Sequence, residues 1–483
     1  MIRKIKKVYN DLSIPLKATI WYFICQMLQK MINMVTTPVF ARVMSKYEYG
    51  KVGSFDSWLE LLFILLICSV WKATLNVYKE NDKSDELKDR LLKTILSFSC
   101  LMTLVWIGLV FFLYHFIVSA TGLSLTLIIC LICCAFSQNV NMAWVLRQQY
   151  DYKYMSVVVY SIITAFVSNF GSLIMVCFFG ASAENKIIPQ ALCSCIASLI
   201  IVIRYLLIRS IKYDLKQLKY CLVFAVPLIP HYLSEYVLNS SDRIMIDKIT
   251  GSENVATYTI AYAVGSLVLI VCGAVNSAFI PYQYQKINDS DYLVLARNTN
   301  VIIAFIACCS CIFTMFAKEI ILIFGSAKYI DGISLVAPIS VGIFFNFVFQ
   351  LFARVQEYFE QKHTVVIGSV LCAILNIILN YLFIPVYGYQ AAAYTTAICY
   401  FIFCFLHYLF YRIACKKNIG VEIYNSKGLA IISILFIVVV FLIRFIDKVI
   451  YLKYFILLFI LIMSFVCRKK IVSIAKQIKG GEK

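Results

Sequence analysis

The sequence predicts an all-α integral membrane protein of about fourteen transmembrane helices: two six-helix bundles related by a parallel repeat, plus two C-terminal helices. Three observations lead there. First, the 483 residues are 62% hydrophobic and 14% charged, with a mean hydropathy of +0.85, whereas soluble domains run about 45–50% apolar and about 25% charged. A soluble chain of this length would form two or three domains, and 44 basic plus 25 acidic side chains are too few to coat them. Second, uniformly apolar runs long enough to cross hydrocarbon recur along the whole chain. Third, the basic residues alternate between heavily and lightly loaded loops.

A helix needs about 20 apolar residues to span the bilayer core. On that criterion the spans are 18–40, 54–71, 94–114, 123–146, 155–179, 187–208, 221–241, 255–281, 299–317, 333–353, 364–384, 391–411, 428–446 and 451–467. Their uniform rather than alternating hydropathy excludes a β-barrel. The N-terminus, the even-numbered loops and the C-terminus hold about three times as many Lys and Arg as the odd-numbered loops. That asymmetry places both termini in the cytoplasm. It also removes nucleic acid as a partner, because the net charge of +19 marks a membrane face instead of a binding footprint. The basic N-terminus leads into a run carrying Lys30 with no small-residue cleavage site, so it reads as a retained first helix and not a secretory signal.

The 19 cysteines lie mostly within apolar runs, such as Cys130, Cys133 and Cys134, where they read as packing residues. No His stands near these clusters to complete a metal site, and no cofactor is expected. The longest polar stretch, Lys72 to Lys93, reads as a solvated cytoplasmic connector. With no room for an extramembrane domain, function belongs inside the bilayer.

An internal repeat is visible at nearly constant offset. Arg42 to Asp56 aligns in pattern with Lys248 to Tyr262, Arg147-Gln148-Gln149 with Arg354-Val355-Gln356, and Phe179-Gly180 with Tyr387-Gly388. The domains expected are 1–212 and 213–415 as six-helix bundles and 416–483 as two appended helices with a basic tail. Six spans per half give both halves the same membrane orientation, a transporter architecture in which bundles rock about a central site.

Three segments carry a family resemblance: Asn376-Ile-Ile-Leu-Asn380 through Pro385 and Gly388 to Ala393; Pro227-Leu-Ile-Pro230-His231 followed by Ser240-Ser241-Asp242-Arg243; and Pro38-Val-Phe-Ala-Arg42 leading into Tyr47-Glu48-Tyr49-Gly50. In this order the chain resembles bacterial polysaccharide repeat-unit flippases, the oligosaccharide-lipid branch of the multidrug, oligosaccharidyl-lipid and polysaccharide (MOP) exporter superfamily. The resemblance implies movement of an undecaprenyl-pyrophosphate-linked oligosaccharide from the inner to the outer leaflet of the bacterial cytoplasmic membrane, for O-antigen or capsule assembly. It further implies alternating access, a cationic cavity and a coupling cation, proton or sodium. Membrane lipids, a polysaccharide polymerase and a chain-length regulator are the partners to expect.

Ionisable residues inside spans are costly and are functional candidates by default. Lys30, near the middle of the first span, suits pyrophosphate as a point charge or forms an ion pair with Glu235. Glu235 follows Pro227 and Pro230, which should break the start of its helix, and with His231 one turn away it is a candidate coupling site. Asp242 and Arg243 read as ending the seventh span at the outer face, either as a helix-end ion pair or as ion-coupling and substrate-binding residues. Arg147 and Arg354 occupy equivalent cytoplasmic positions, where two guanidinium forks would capture phosphate or only mark topology; Asp56 and Glu60 read as first-turn charges of the second span. An ion-coupled multidrug antiporter of the same superfamily is the competing function. A membrane-embedded sugar polymerase or transferase would want a large loop or a paired-carboxylate site, and the lone Asp289-Ser-Asp291 has no domain around it; no catalytic residue is expected.

Overall fold

Hydrocarbon offers no partner for backbone N–H and C=O groups, so a chain this apolar must satisfy them within its own segments. The computed structural model describes residues 13–80, 84–208, 213–446 and Lys453, and every regular element among them is helical. The first helices are α1 (Ile14–Val43), α2 (Lys46–Leu66), α3 (Thr74–Glu80), α4 (Asp85–Phe112), α5 (Tyr114–Thr121), α6 (Leu125–Tyr150), α7 (Tyr154–Phe178) and α8 (Ala183–Ile203). They are followed by α9 (Leu215–Ala225), α10 (Ile229–Thr250), α11 (Ser252–Gly265), α12 (Val268–Asn288), α13 (Tyr292–Met315) and α14 (Ala317–Phe324). The last are α15 (Ile333–Tyr358), α16 (Lys362–Tyr387), α17 (Gln390–Asn418) and α18 (Ser426–Ile446).

Among the described residues ten helices are long and apolar enough to cross a membrane, or twelve when two bent pairs each count as one span. These twelve coincide with spans two to thirteen of the sequence reading. The fourteenth, 451–467, lies outside the described residues except for Lys453. The first span is present as α1, 30 residues long, but it falls short of the required hydropathy. Its sequence shows why: Gln26, Lys30, Asn33 and Thr37 recur every three or four residues and share one helix face, with the first three exposed.

The helix starts carry the repeat. Lys46 and Ser252, Asp85 and Tyr292, Leu125 and Ile333, Tyr154 and Lys362, and Ala183 and Gln390 begin corresponding helices, each pair 206 to 208 residues apart. The two bent pairs are themselves counterparts: α2 with the 74–80 arm bends by 56°, and α11 with α12 by 41°. The first break is made without glycine, since Cys68 and Ser69 both sit in the left-handed region at φ of 53° and 52°, a conformation costing about 1–3 kcal/mol each.

Contacts divide the chain into two compact units, Met1–Tyr236 and Val237–Lys483, with the division falling inside α10. In the first unit, α1 and α8 pack on α7, and α6 on α8 and α2. In the second, α15 is the central helix, buried from Leu335 to Val348 almost without interruption. It packs on α17, where Gly342 lets the backbones approach so closely that an added Cβ would lie 3.5 Å from the Ala397 Cα.

Three sequence expectations change here. The 72–93 stretch is helical at 74–80 and again from Asp85, and Lys88, Asp89 and Lys93 are buried; its mixed charges neutralise one another. Asp56 and Glu60 stand on the third and fourth turns of α2, because the Ser45 hydroxyl caps the helix ten residues earlier, accepting from the Glu48 N–H at 3.1 Å. The double-proline break before α10 is confined to one 3-10 turn, Val226–Leu228, because Pro227 falls where a helix start tolerates a missing N–H.

Packing at Gly265 supplies a stability test. A Cβ there would meet Ile339 Cγ2 at 2.6 Å, whereas one at Gly108 meets nothing within 4 Å. Gly265→Ala is expected to lower the thermal midpoint in detergent, by an overpacking cost of about 1–3 kcal/mol, while Gly108→Ala leaves it unchanged or raised. Equal midpoints for the two variants would contradict the packing described.

Candidate functional site

The two arginines that the repeat makes equivalent have opposite electrostatic surroundings. Arg147, at the end of α6, is 2% exposed and is ringed by carboxylates. Its Nε donates to Asp89 at 3.1 Å, one Nη to Asp85 at 3.2 Å, and the other Nη pairs with Asp151. Lys88 adds contacts to Asp85 at 3.1 Å and Asp151 at 3.4 Å, and Lys153 to Asp151 at 2.9 Å. Three acids against three bases leave no net charge for a ligand. The placement of Asp85 and Asp89 one turn apart at the start of α4 builds this knot, a signal that reading 72–93 as a connector concealed.

Arg354, at 7% exposure on α15, is held by amides alone. One Nη donates to Asn276 Oδ1 at 2.7 Å and to Gln350 Oε1 at 3.2 Å, and the other Nη is buried with no hydrogen-bond partner. Asn276 in turn donates to Gln350 at 3.1 Å, and Gln350 to Asn346 at 2.8 Å. No carboxylate lies within ion-pair distance of Arg354 among the described residues; Glu357 acts on it only at longer range. An uncompensated buried guanidinium with an open arm is the arrangement that takes an anion.

Lys30 is exposed on the polar face of α1, and no ion pair engages it among the described residues. The opposing face of α1 docks on α7 through Gln29, which donates to the Ser161 carbonyl at 3.3 Å, and Thr36, which donates to Asn169 Oδ1 at 3.3 Å. Glu235, considered as the partner of Lys30, instead has His231 Nε2 at 3.8 Å and the Lys72 ammonium as neighbours. Lys72 also sits 3.3 Å over the Tyr232 ring. Sequence reasoning missed Lys72 because the break at Cys68 and Ser69, which turns it toward α10, has no glycine or proline to announce it.

Asp242 and Arg243 do not end a helix. The Ile-Met-Ile-Asp-Lys-Ile-Thr run continues α10 to Thr250, and Gly251 at φ 94° stops it. Asp242 is therefore mid-helix and 2% exposed, where it accepts from Tyr258 at 2.6 Å, Thr396 at 2.8 Å and Asn380 at 2.7 Å. Asn376 and Thr395 complete the network through Asn380 and Thr396. The structure thus brings together two of the motifs singled out in the sequence, Ser240–Arg243 and Asn376–Asn380. Carboxylate, amide and hydroxyl oxygens in one buried cluster form a hard donor set suited to a proton or a small cation. Arg243 lies 4.9 Å from the Tyr262 ring centre as a cation–π pair. The counterpart of Asp242 in the first half, 206 residues earlier, is Thr36, and the counterpart of Asn376, 207 residues earlier, is Asn169; there the two helices are joined by a neutral bond from Thr36 to Asn169, whereas Asp242 reaches Asn380. The 18 described cysteines are all free, and no cluster of metal-ligating side chains occurs among the described residues.

The helical spans, the repeat and these intramembrane polar sites have the architecture of a multi-span membrane transporter, and the similarities that follow make it one of the MOP superfamily. The family profile described as "Polysaccharide biosynthesis protein" matches residues 16–287, and the chain belongs to that family. A second profile, MatE, matches residues 227–382. Among solved structures, the fold is similar to "Lipid II flippase MurJ, inward closed conformation" (TM-score 0.64, 16% identity, 94% of this chain and 100% of that one). It is also similar to an inward-facing "multidrug resistance MATE family transporter of the MOP superfamily" (TM-score 0.65, 15% identity, 83% and 99%). "Lsg locus putative protein 1" of Haemophilus influenzae (strain ATCC 51907 / DSM 11121 / KW20 / Rd) is 29% identical over 121 residues, which is 23% of this chain and 30% of that relative.

The Arg147 knot predicts its own pH response. Burial raises the Asp151 carboxyl, but Lys153 and Arg147 together outweigh it and hold the group below its ordinary value. A depressed carboxyl contributes stability that is present above its unfolded pKa of about 3.9 and is lost as pH falls through the folded value. The wild type is expected to lose stability on acidification below about pH 4. Arg147→Ala removes the one cation shared by Asp85, Asp89 and Asp151, and destabilisation at neutral pH of up to about 3–5 kcal/mol with a flatter acid limb is expected. Chemical unfolding at pH 7 and pH 4 checks both; an Arg147→Ala variant with wild-type stability would refute the charge matching.

Proposed function

We propose that this protein flips undecaprenyl-pyrophosphate-linked oligosaccharide units from the inner to the outer leaflet of a bacterial cytoplasmic membrane by alternating access, with both termini cytoplasmic. The observation that carries the reading is Arg354: a buried cation with one arm unpaired, in a membrane protein that elsewhere neutralises its equivalent residue with three carboxylates. Leaving such a charge unmatched is destabilising unless an anionic ligand uses it. Arg354, Arg243 and Lys30 serve as the phosphate-binding cations, and Arg147, captured by its carboxylates, serves to hold its bundle. A pyrophosphate head also moves with the field, since carrying one negative charge out of a negative-inside cell is favourable by about 2.3 kcal/mol per 100 mV.

Asp242 supplies coupling. Its oxygens accept three hydrogen bonds when ionised and can accept a proton or small cation when the donors turn away, so occupancy and transport are linked through α10, α16 and α17. His231 and Glu235, paired one turn apart, are a second titratable locus on the same helix. Export for O-antigen or capsule assembly, alongside a polymerase and a chain-length regulator, is the pathway context that fits a lipid-linked sugar.

The second reading is an ion-coupled multidrug antiporter, favoured by the likeness to multidrug transporters and by the buried Asp242 carboxylate. It differs in charge preference: cationic drugs have no use for Arg354.

Complementation of flippase-deficient strains with defined repeat units separates the two. The wild type is expected to restore surface glycan, and Arg354→Ala to reduce it at least about tenfold, the loss of one charge-assisted hydrogen bond or more. Resistance to cationic dyes without glycan would reject the flippase reading. Asp242→Asn keeps the shape and removes the charge; transport that loses its dependence on an imposed proton or sodium gradient is expected, and unchanged gradient dependence would remove Asp242 from coupling.

A further inference from the structure

A polar cavity lies wholly within the first unit, at the starts of α4 and α7 and the C-terminal ends of α6 and α8. It measures about 390 Å³, and all its lining side chains carry polar atoms, among them Trp144, Gln148, Ser156 and Arg204. In a chain that is 62% hydrophobic, a water-sized polar chamber of this kind needs a reason.

Four of the charged lining groups are spent in the knot described above: Asp85, Asp89, Arg147 and Lys153. Gln148, Ser156 and Arg204 are not. Gln148 is 8% exposed, yet its side-chain amide has no hydrogen-bond partner among the described residues and lines the cavity, offering one acceptor and two donors. Ser156 and Arg204 add an exposed hydroxyl and an exposed guanidinium, neither engaged among the described residues. Arg204 opens a π-helical turn, Arg204–Ile208, a widening of the helix found mostly at functional positions. Trp144 lies with its ring 5.0 Å from the Tyr160 ring and presents apolar aromatic surface among these polar groups.

An aromatic ring, an amide, a hydroxyl, carboxylate oxygens at the rim and an unmatched guanidinium are the complement of a sugar ring bearing a negative charge. The aromatic surface covers the apolar C–H face of the ring, the amide and hydroxyl take ring hydroxyls, and the guanidinium forks onto a phosphate or carboxylate substituent. A bare phosphate has no apolar face for Trp144 to cover. We propose that this cavity is a binding site for an anionic saccharide, a sugar phosphate or uronic acid, separate from the cations assigned to pyrophosphate. The inference deepens the flippase reading and rests on it for its biological source: the ligand is the sugar head of the lipid-linked substrate, or the free sugar phosphate.

The test uses the full-length protein in nanodiscs, titrated calorimetrically with glucose 1-phosphate, glucuronate, glucose and inorganic phosphate. Saturable binding of glucose 1-phosphate or glucuronate is expected, at least about tenfold tighter than glucose or phosphate. Gln148→Ala and Arg204→Gln are each expected to weaken it about tenfold, and Trp144→Phe to weaken it less than Trp144→Ala. Arg204 is exposed, so Arg204→Gln keeps the test valid if Gln148→Ala misfolds. Phosphate binding as tightly as the sugar phosphate, absence of saturation, or binding indifferent to both Gln148 and Arg204 would each overturn the proposal. A lipid-linked oligosaccharide that competes with glucose 1-phosphate identifies the substrate head as the source; lack of competition assigns the site to the free sugar. Failure of the sugar titrations in a protein that still complements a flippase-deficient strain sinks this inference alone. Sugar binding in a protein that moves no lipid-linked glycan sinks the flippase reading alone.

Discussion

A charge inside hydrocarbon must be matched or used, and that constraint organises this molecule more than any packing detail. Burying an ion costs several kcal/mol even after relaxation, so each intramembrane charge has a visible disposition. Arg147 is matched three times over. Asp242 is matched by three neutral donors that stabilise its charge without cancelling it. Arg354 is only cradled. These are three different answers to one problem. The first builds structure, the second permits a reversible change of occupancy, and the third invites a ligand of opposite sign.

The fold was legible because lipid imposes a simple pattern. Spans two to thirteen follow from apolar length alone, and the repeat emerged from short matches such as Arg147 with Arg354 before any helix start was known. The same pattern is weakest in α1. Its polar stripe, Gln26, Lys30, Asn33 and Thr37, lowers the hydropathy of a helix that is nonetheless 30 residues long. The site was legible only as residue types. Lys30, Arg354 and Asp242 could be named because charge in an apolar run stands out. Their partners could not, because Asn276, Gln350, Tyr258 and Thr396 are ordinary polar residues that only the packing of the helices singles out. Equivalence in the repeat even misled for Arg147, since sequence offset preserves backbone position and says nothing about the carboxylates that α4 delivers.

The errors in the polar segments share one cause. The 72–93 stretch has the composition of a solvated loop, and charge counts cannot distinguish charges facing water from charges facing one another. Lys88 and Asp89 are buried because their charges are paired. Likewise Asp242-Arg243 has the composition of a helix end, but the donors awaiting the carboxylate let the helix carry it through.

The pairing of Thr36 with Asn169, and of Asp242 with the Asn376–Asn380 cluster, shows what duplication makes available. At this position the architecture requires only a hydrogen bond between the first and fifth spans of each half, and a neutral hydroxyl fulfils that in one copy. Acidity in the other copy is therefore surplus to folding. A doubled gene could hold its scaffold with one half while the other half experimented with charge, and the result is a molecule whose two halves share an ancestry of shape but divide the labour of chemistry.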